Sequence, residues 1–223
     1  MAVPLLLVDL DNTLIDRDAA FRSAVAVFLA DHGLADADVA WVMSADASGY
    51  TARDVLAAAL TDRYRNAVPA TAIKSLLDSG GAEHARLADA TKDALLAARH
   101  DGWACVIVTN GRTAQQELKI RNTGLDRLVQ GWAVSEAVGH KKPNPEIFRA
   151  ATALAAVPLA DAWVVGDSPQ ADIGGAISLG LRSVWVADGR SWNLDAYRPT
   201  HIAVDAASAI HHALRAGSSR PAA

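Results

Sequence analysis

Only one cysteine, Cys105, occurs in the 223 residues, so no internal disulfide framework can hold this chain together. Aromatic residues are sparse, at 5%, and positive charge is not in excess: 21 basic against 25 acidic residues give a formal net charge of -4. Nucleic acids and anionic membranes attract proteins through a broad positive field, and this balance supplies none. No apolar run approaches the ~20 residues that cross a bilayer as a helix. The residues ahead of the first aliphatic run carry neither the basic flank nor the long apolar segment of a secretory leader. The expected location is the cytoplasm, and the expected partners include neither nucleic acid nor membrane. Internal repeats are absent as well.

What is present is enough apolar material, 51% of residues, to bury a sizeable core. It is arranged in short aliphatic runs closed by polar residues or glycine: LLLVDLD at 5–11, ACVIVTNG at 104–111, AWVVGDS at 162–168 and SVWVAD at 183–188. Unbroken apolar strands separated by helical patterns indicate a parallel sheet covered on both faces. The expected fold is therefore α/β, a Rossmann-like doubly wound sheet, with WAVS at 132–135 a further edge strand. Helix signals fall between the runs. Thr113 and Gln116 have the spacing of a capping box, with Gly124 as the stop; Asn144-Pro145 supplies an N-cap and a first-turn proline; Gly180 ends a later helix.

Residues 16–90 break this rhythm. They hold helix-like segments at 18–31, 36–43, 51–64 and 69–77 and no strand, which reads as a helical insertion folding over the sheet. The expected division is a catalytic core of 1–15 and 91–215, a helical cap of 16–90 and a flexible tail of 216–223.

The unusual polar residues all sit at the carboxyl ends of the expected strands, the edge where open parallel sheets bind ligands. Asp9 and Asp11 follow the first strand, Thr109 and Asn110 the second, and Asp167 a later one, with Asp172 five positions on. Lys142 precedes the Asn144-Pro145 helix start. Each motif alone has an ordinary reading: an aspartate pair or TNG as a turn, GDS with Asp172 as a helix cap, KKP as a solvated loop. Converging on one edge, four acids would repel strongly without a cation, and hard carboxylate oxygens suit Mg²⁺. Cys105, inside an apolar run, reads as a core residue. The histidines show no ligand spacing.

Taken in order, DLDNTL at 9–14, VTNG at 108–111, the lysine of KKPNPEIF at 141–148 and GDSPQAD at 166–172 resemble the four motifs of the haloacid dehalogenase superfamily, largely Mg²⁺-dependent phosphohydrolases. The resemblance spans residues 5–190, and the insertion after the first motif is similar to that family's C1 cap. It implies Asp9 as nucleophile, Asp11 as general acid and base and as a metal ligand through its carbonyl, and Thr109, Asn110 and Lys142 as phosphate binders. It also implies Asp9, Asp167 and Asp172 around Mg²⁺, and a small phosphomonoester as substrate. Within the insertion, Trp41, Tyr50 and Arg53 are candidates to line a substrate pocket, with core packing or ordinary surface exposure the favoured reading of all three. A phosphomutase of the same superfamily shares every motif. A dehalogenase in the strict sense lacks an acid at the position of Asp11. From a different class, a phospho-aspartate receiver uses similar residues but is shorter, has no helical insertion and places its acid after the third strand.

Overall fold

Four aliphatic runs become strands that stop short of their polar ends. In a computed structural model describing residues 3–65 and 67–218, these are β1 (Leu5–Val8), β2 (Ala104–Thr109), β4 (Trp163–Gly166) and β5 (Arg182–Val186). The edge strand β3 spans Gly131–Val134 and runs into the one-turn helix α7 (Ser135–Val138); a second short helix, α9 (Gly175–Ser178), precedes β5, and a sixth strand, β6 (His201–Ala203), was not expected from the sequence. The order is β3-β2-β1-β4-β5-β6, with every neighbouring pair parallel.

Burial on both faces explains the unbroken apolar runs. One set of alternate residues, Leu5 and Leu7 with Val106, Val108 and Val164, packs against Ile147, Phe148 and Ala151 of α8 (Pro145–Ala155). The other set, including Leu6, Cys105 and Trp163, faces the opposite way, where α5 (Asp89–His100) and α10 (Ala206–Ser218) lie on the sheet. Asn144 caps α8 through its side-chain oxygen, which accepts from the Glu146 N–H at 2.9 Å. The helix α6 (Thr113–Asn122) starts differently from the expectation: its N-cap is Arg112, no capping box forms, and the Thr113 N–H donates instead to Glu136 Oε2 at 2.7 Å. Gln116 has been drawn away to tertiary partners. The C-terminal expectation also changes, because Ala216 to Ser218 continue α10, while 219–223 lie outside the described residues. Among the described residues no helix is long and apolar enough to cross a membrane.

Contacts divide the chain into two compact units, one containing the sheet and the other Asp16–Arg86, so Leu87 onward goes with the sheet. The second unit consists of α1 (Arg17–Asp31), α2 (Asp38–Asp46), α3 (Arg53–Tyr64) and α4 (Ala70–Ser79). Its core includes Phe21, Val25, Leu29, Val42, Leu56, Leu60, Ile73 and Leu77. One charged cluster is buried beside it. Asp46 Oδ1 accepts from Arg17 Nη2 and Arg53 Nη1, each at 2.9 Å, and Oδ2 from the Gly49 N–H at 2.9 Å. Removing one member of a buried ion pair costs about 3–5 kcal/mol, because the other charge stays desolvated. Asp46→Ala should accordingly lower unfolding stability by about 3 kcal/mol, read as a fall in the urea midpoint. An unchanged midpoint would show that the cluster contributes nothing.

Candidate active site

Strand register brings the polar ends together. Val8 is paired with Ile107 on one side and Val165 on the other, so Asp9 leaves the sheet between the ends of β2 and β4, its N–H donating to the Val165 carbonyl at 2.9 Å. Asp167 follows β4 directly. Asp172 returns to it from the helical turn Pro169–Gly174, anchored by the Ser168 N–H, which donates to Asp172 Oδ2 at 2.9 Å. Gly166 makes that return possible. A Cβ there would lie 2.2 Å from Asp172 Cγ, closer than any side chain tolerates. The outcome is a buried group, Asp9, Asp167 and Asp172, whose carboxylate oxygens lie within 4.8 Å of one another.

Lys142 enters this group. Its Nζ donates to Asp9 Oδ1 at 2.6 Å, Asp172 Oδ1 at 2.7 Å and the Val108 carbonyl at 2.7 Å, while the neighbouring Lys141 is exposed. Asn110 fixes the lysine's backbone from across the sheet: its Oδ1 accepts from the Lys142 N–H at 2.8 Å and its Nδ2 donates to the Lys142 carbonyl at 3.1 Å. With its side chain so engaged, Asn110 has its main-chain N–H to offer a ligand.

Electrostatics follow from burying like charges. Burial pushes the Asp9 carboxyl well above the usual carboxylate range; Lys142 opposes the rise, and Asp172 and Asp167 add to it. Asp167 is pushed up to about 7 by burial and by Asp172, against the pull of Arg190 and Lys142. Burial works to lower Lys142, but the charges of Asp172 and Asp9 outweigh it and hold the ammonium above its ordinary range. Three acids facing Lys142 and Arg190 leave the cluster short of positive charge. Its hard oxygen donors, close enough together to share an ion, fit Mg²⁺ and would suit a soft metal poorly.

Asp11 stands apart from the three-carboxylate group. Its side chain is held by α6: Lys119 Nζ donates to Oδ1 at 2.7 Å and to Oδ2 at 2.9 Å, and Gln116 Nε2 donates to Oδ2 at 2.9 Å. Gln116 Nε2 also reaches Thr109 Oγ1 at 2.6 Å. Two further residues were missed by sequence reasoning at the other flank. Arg190 Nη1 lies 3.1 Å from Asp167 Oδ2, and Trp185 Nε1 donates to the Asp167 carbonyl at 2.7 Å. The run SVWVAD marked Trp185 only as part of a strand.

Of the three positions singled out in the helical unit, Trp41 packs against that unit's own core with Arg63 over its ring, Arg53 is bound to Asp46, and Tyr50 is exposed. Cys105 is buried and its thiol is pushed up to about 12 by desolvation, which makes it a poor nucleophile. His32 bonds the Phe28 carbonyl at 2.8 Å, and His201 stacks on His212; none of the three joins the acidic cluster.

Comparison with known proteins converges on one group. The model of the haloacid dehalogenase-like hydrolases matches residues 6–186. A phosphoserine phosphatase of Thermus thermophilus is 39% identical over 43% of this chain and 38% of its own length. A glyceraldehyde 3-phosphate phosphatase of Pyrococcus furiosus is 35% identical over 45% of this chain and 42% of its own. The matched stretches thus span less than half the length of these relatives. Among solved structures, the HAD-hydrolase YfnB of Bacillus subtilis, crystallised with magnesium, superposes with a TM-score of 0.77 at 25% identity, covering 96% of this chain and 99% of that one.

Proposed function

We propose, for a chain that belongs to the haloacid dehalogenase-like hydrolase family, that it hydrolyses small phosphomonoesters through a phosphorylated Asp9. The observation that carries this reading is the buried junction of Lys142 with Asp9 and Asp172, alongside Asp167, at the carboxyl edge of the sheet. The phosphatase relatives support the substrate class.

The chemistry follows from the residues. A phosphate ester resists attack because its oxygens repel the nucleophile, so charge must be neutralised and attack aligned. An Asp9 oxygen attacks phosphorus and the P–O bond to the leaving group breaks. Asp11, which enters this step protonated, gives its proton to the leaving-group oxygen and then, as a carboxylate, takes one from the water that attacks the phosphoryl group, releasing phosphate and restoring Asp9. Thr109, whose hydroxyl oxygen accepts from Gln116, keeps its own proton to donate to a phosphate oxygen, with the Asn110 N–H beside it. Lys142 neutralises Asp9 and the phosphoryl charge. Asp9, Asp167, Asp172 and the Asp11 carbonyl would hold Mg²⁺, which when bound supplies positive charge to the phosphoryl oxygens.

Release of inorganic phosphate from a panel of small phosphomonoesters with Mg²⁺ tests this assignment. Turnover of at least one substrate is the expected result, and silence across sugar phosphates, phosphoglycolate, phosphoserine and nucleoside monophosphates would count against it. The helical unit is assigned the role of a cap that selects substrate. Tyr50, 72% exposed, is its candidate selecting residue, whereas Trp41 and Arg53 serve the unit's own packing. Tyr50→Ala should re-rank the panel severalfold while leaving a small generic ester unchanged; an unaltered ranking would remove Tyr50 from that role.

A further inference from the structure

Lysine and glutamine are among the residues least often buried, yet α6 buries both on one face: Gln116 is 0% and Lys119 2% exposed. They stand three positions apart, so they are neighbours on the helix surface, and Lys119 Nζ donates to Gln116 Oε1 at 2.9 Å. Burying an ammonium is costly unless its charge is paired, and this one is paired with Asp11 through both carboxylate oxygens. Gln116 completes the set by bridging Asp11 and Thr109 through one amide nitrogen. The backbone makes room for it. Gly111 has φ +152°, and a Cβ there would press to 3.0 Å on both Gln116 Cγ and Cδ.

We infer that Lys119 and Gln116 are positioning residues for the hydrolase reading given above, on which this inference rests: they hold the Asp11 carboxylate and the Thr109 hydroxyl in one fixed geometry. Asp11 alone could adopt several rotamers, since its side chain is 26% exposed. Two donors on one oxygen and one on the other leave a single orientation that satisfies all three. An acid and base that must serve first the leaving oxygen and then water gains from such restraint, because a misplacement of about 1 Å can cost roughly 10²-fold in rate. Neither residue touches the three-carboxylate group in the contacts seen here, so their effect should pass through Asp11 and Thr109.

A double-mutant cycle tests this, using steady-state turnover of a nitrophenyl phosphate by the full chain with Mg²⁺. Lys119→Met should lower kcat by roughly 10- to 100-fold, and Lys119→Arg, which keeps a cation, should recover most of the loss. In an Asp11→Asn background, Lys119→Met should change kcat by less than about twofold, since the group it positions has lost its function. A purely structural lysine would slow both backgrounds by the same factor, and that result would overturn the inference, as would full activity of Lys119→Met beside a crippled Asp11→Asn. If the parent chain releases no phosphate, the hydrolase reading has failed and the inference falls with it; if the parent is active and Asp11→Asn turns over equally well, the hydrolase reading stands and the inference alone is overturned. Should Lys119→Met not fold, Gln116→Met runs through the same cycle with the same criteria.

Discussion

Asp9→Asn should abolish phosphomonoester turnover, lowering kcat by roughly 10⁴- to 10⁶-fold, the scale on which enzymes lose activity with their nucleophile. The magnitude follows from what the substitution leaves. An amide oxygen can still accept from Lys142 Nζ, now 2.6 Å from Asp9 Oδ1, and the backbone bond from the Asp9 N–H to Val165 is untouched. Folding should therefore survive, which thermal unfolding checks independently. The carboxylate proposed as nucleophile is lost, and among the described residues no other carboxylate occupies the end of β1 beside Lys142. Asp172 shares that lysine, but its Oδ2 is tied to the Ser168 N–H, and it is 1% exposed. A residual rate within tenfold of the parent protein, measured as phosphate release, would rule out Asp9 as the nucleophile.

The second large effect is expected from metal removal. Dialysis against EDTA should reduce turnover to background, and Mg²⁺ in the millimolar range should restore it, with Ca²⁺ a poor substitute because its looser coordination misaligns in-line attack. The cause lies in the charge of the site: Asp9, Asp167 and Asp172 crowd within 4.8 Å, and both Asp9 and Asp167 are driven toward protonation by burial. A bound divalent cation reverses that pressure. Direct binding can be followed apart from activity through Mg²⁺-dependent thermal stabilisation, which should weaken strongly in Asp172→Asn. Turnover undiminished in metal-free buffer would contradict the assignment.

Strand positions were legible because residues buried on both faces of a parallel sheet must be apolar, and such runs stand out whatever the tertiary context. β6 was not, since His201 and Ile202 are largely exposed at the sheet edge and the segment lacks an aliphatic signature. In the site, Asp9 and Asp167 meet because strand register delivers their strand ends to one edge, while Asp172 and Lys142 reach them from the turn after β4 and from the segment ahead of α8, as the order of the motifs suggested for their placement. Gln116 shows the limit of local patterns. Its spacing from Thr113 matched a capping box, but partners distant in sequence, Asp11 among them, claimed the side chain. Lys119 lies 108 positions from Asp11 on a polar helix that reads as a solvated face, and nothing local marks it as buried. Arg190 and Trp185 escaped for the same reason: their bonds to Asp167, at the end of β4, come from β5 and the loop that follows it and form only in the tertiary fold.

Whether Asp9 carries phosphate during turnover is the most direct test of the account. The Asp11→Asn variant should still accept phosphate from a nitrophenyl ester, whose leaving group needs little protonation, but should hydrolyse the intermediate slowly for want of a base. Rapid acid quench followed by peptide mass spectrometry should then find one phosphate on the peptide containing Asp9, at near-stoichiometric amounts, and none in Asp9→Asn. Phosphate on any other residue, or active turnover with no phospho-enzyme in either the parent or Asp11→Asn, would contradict the account.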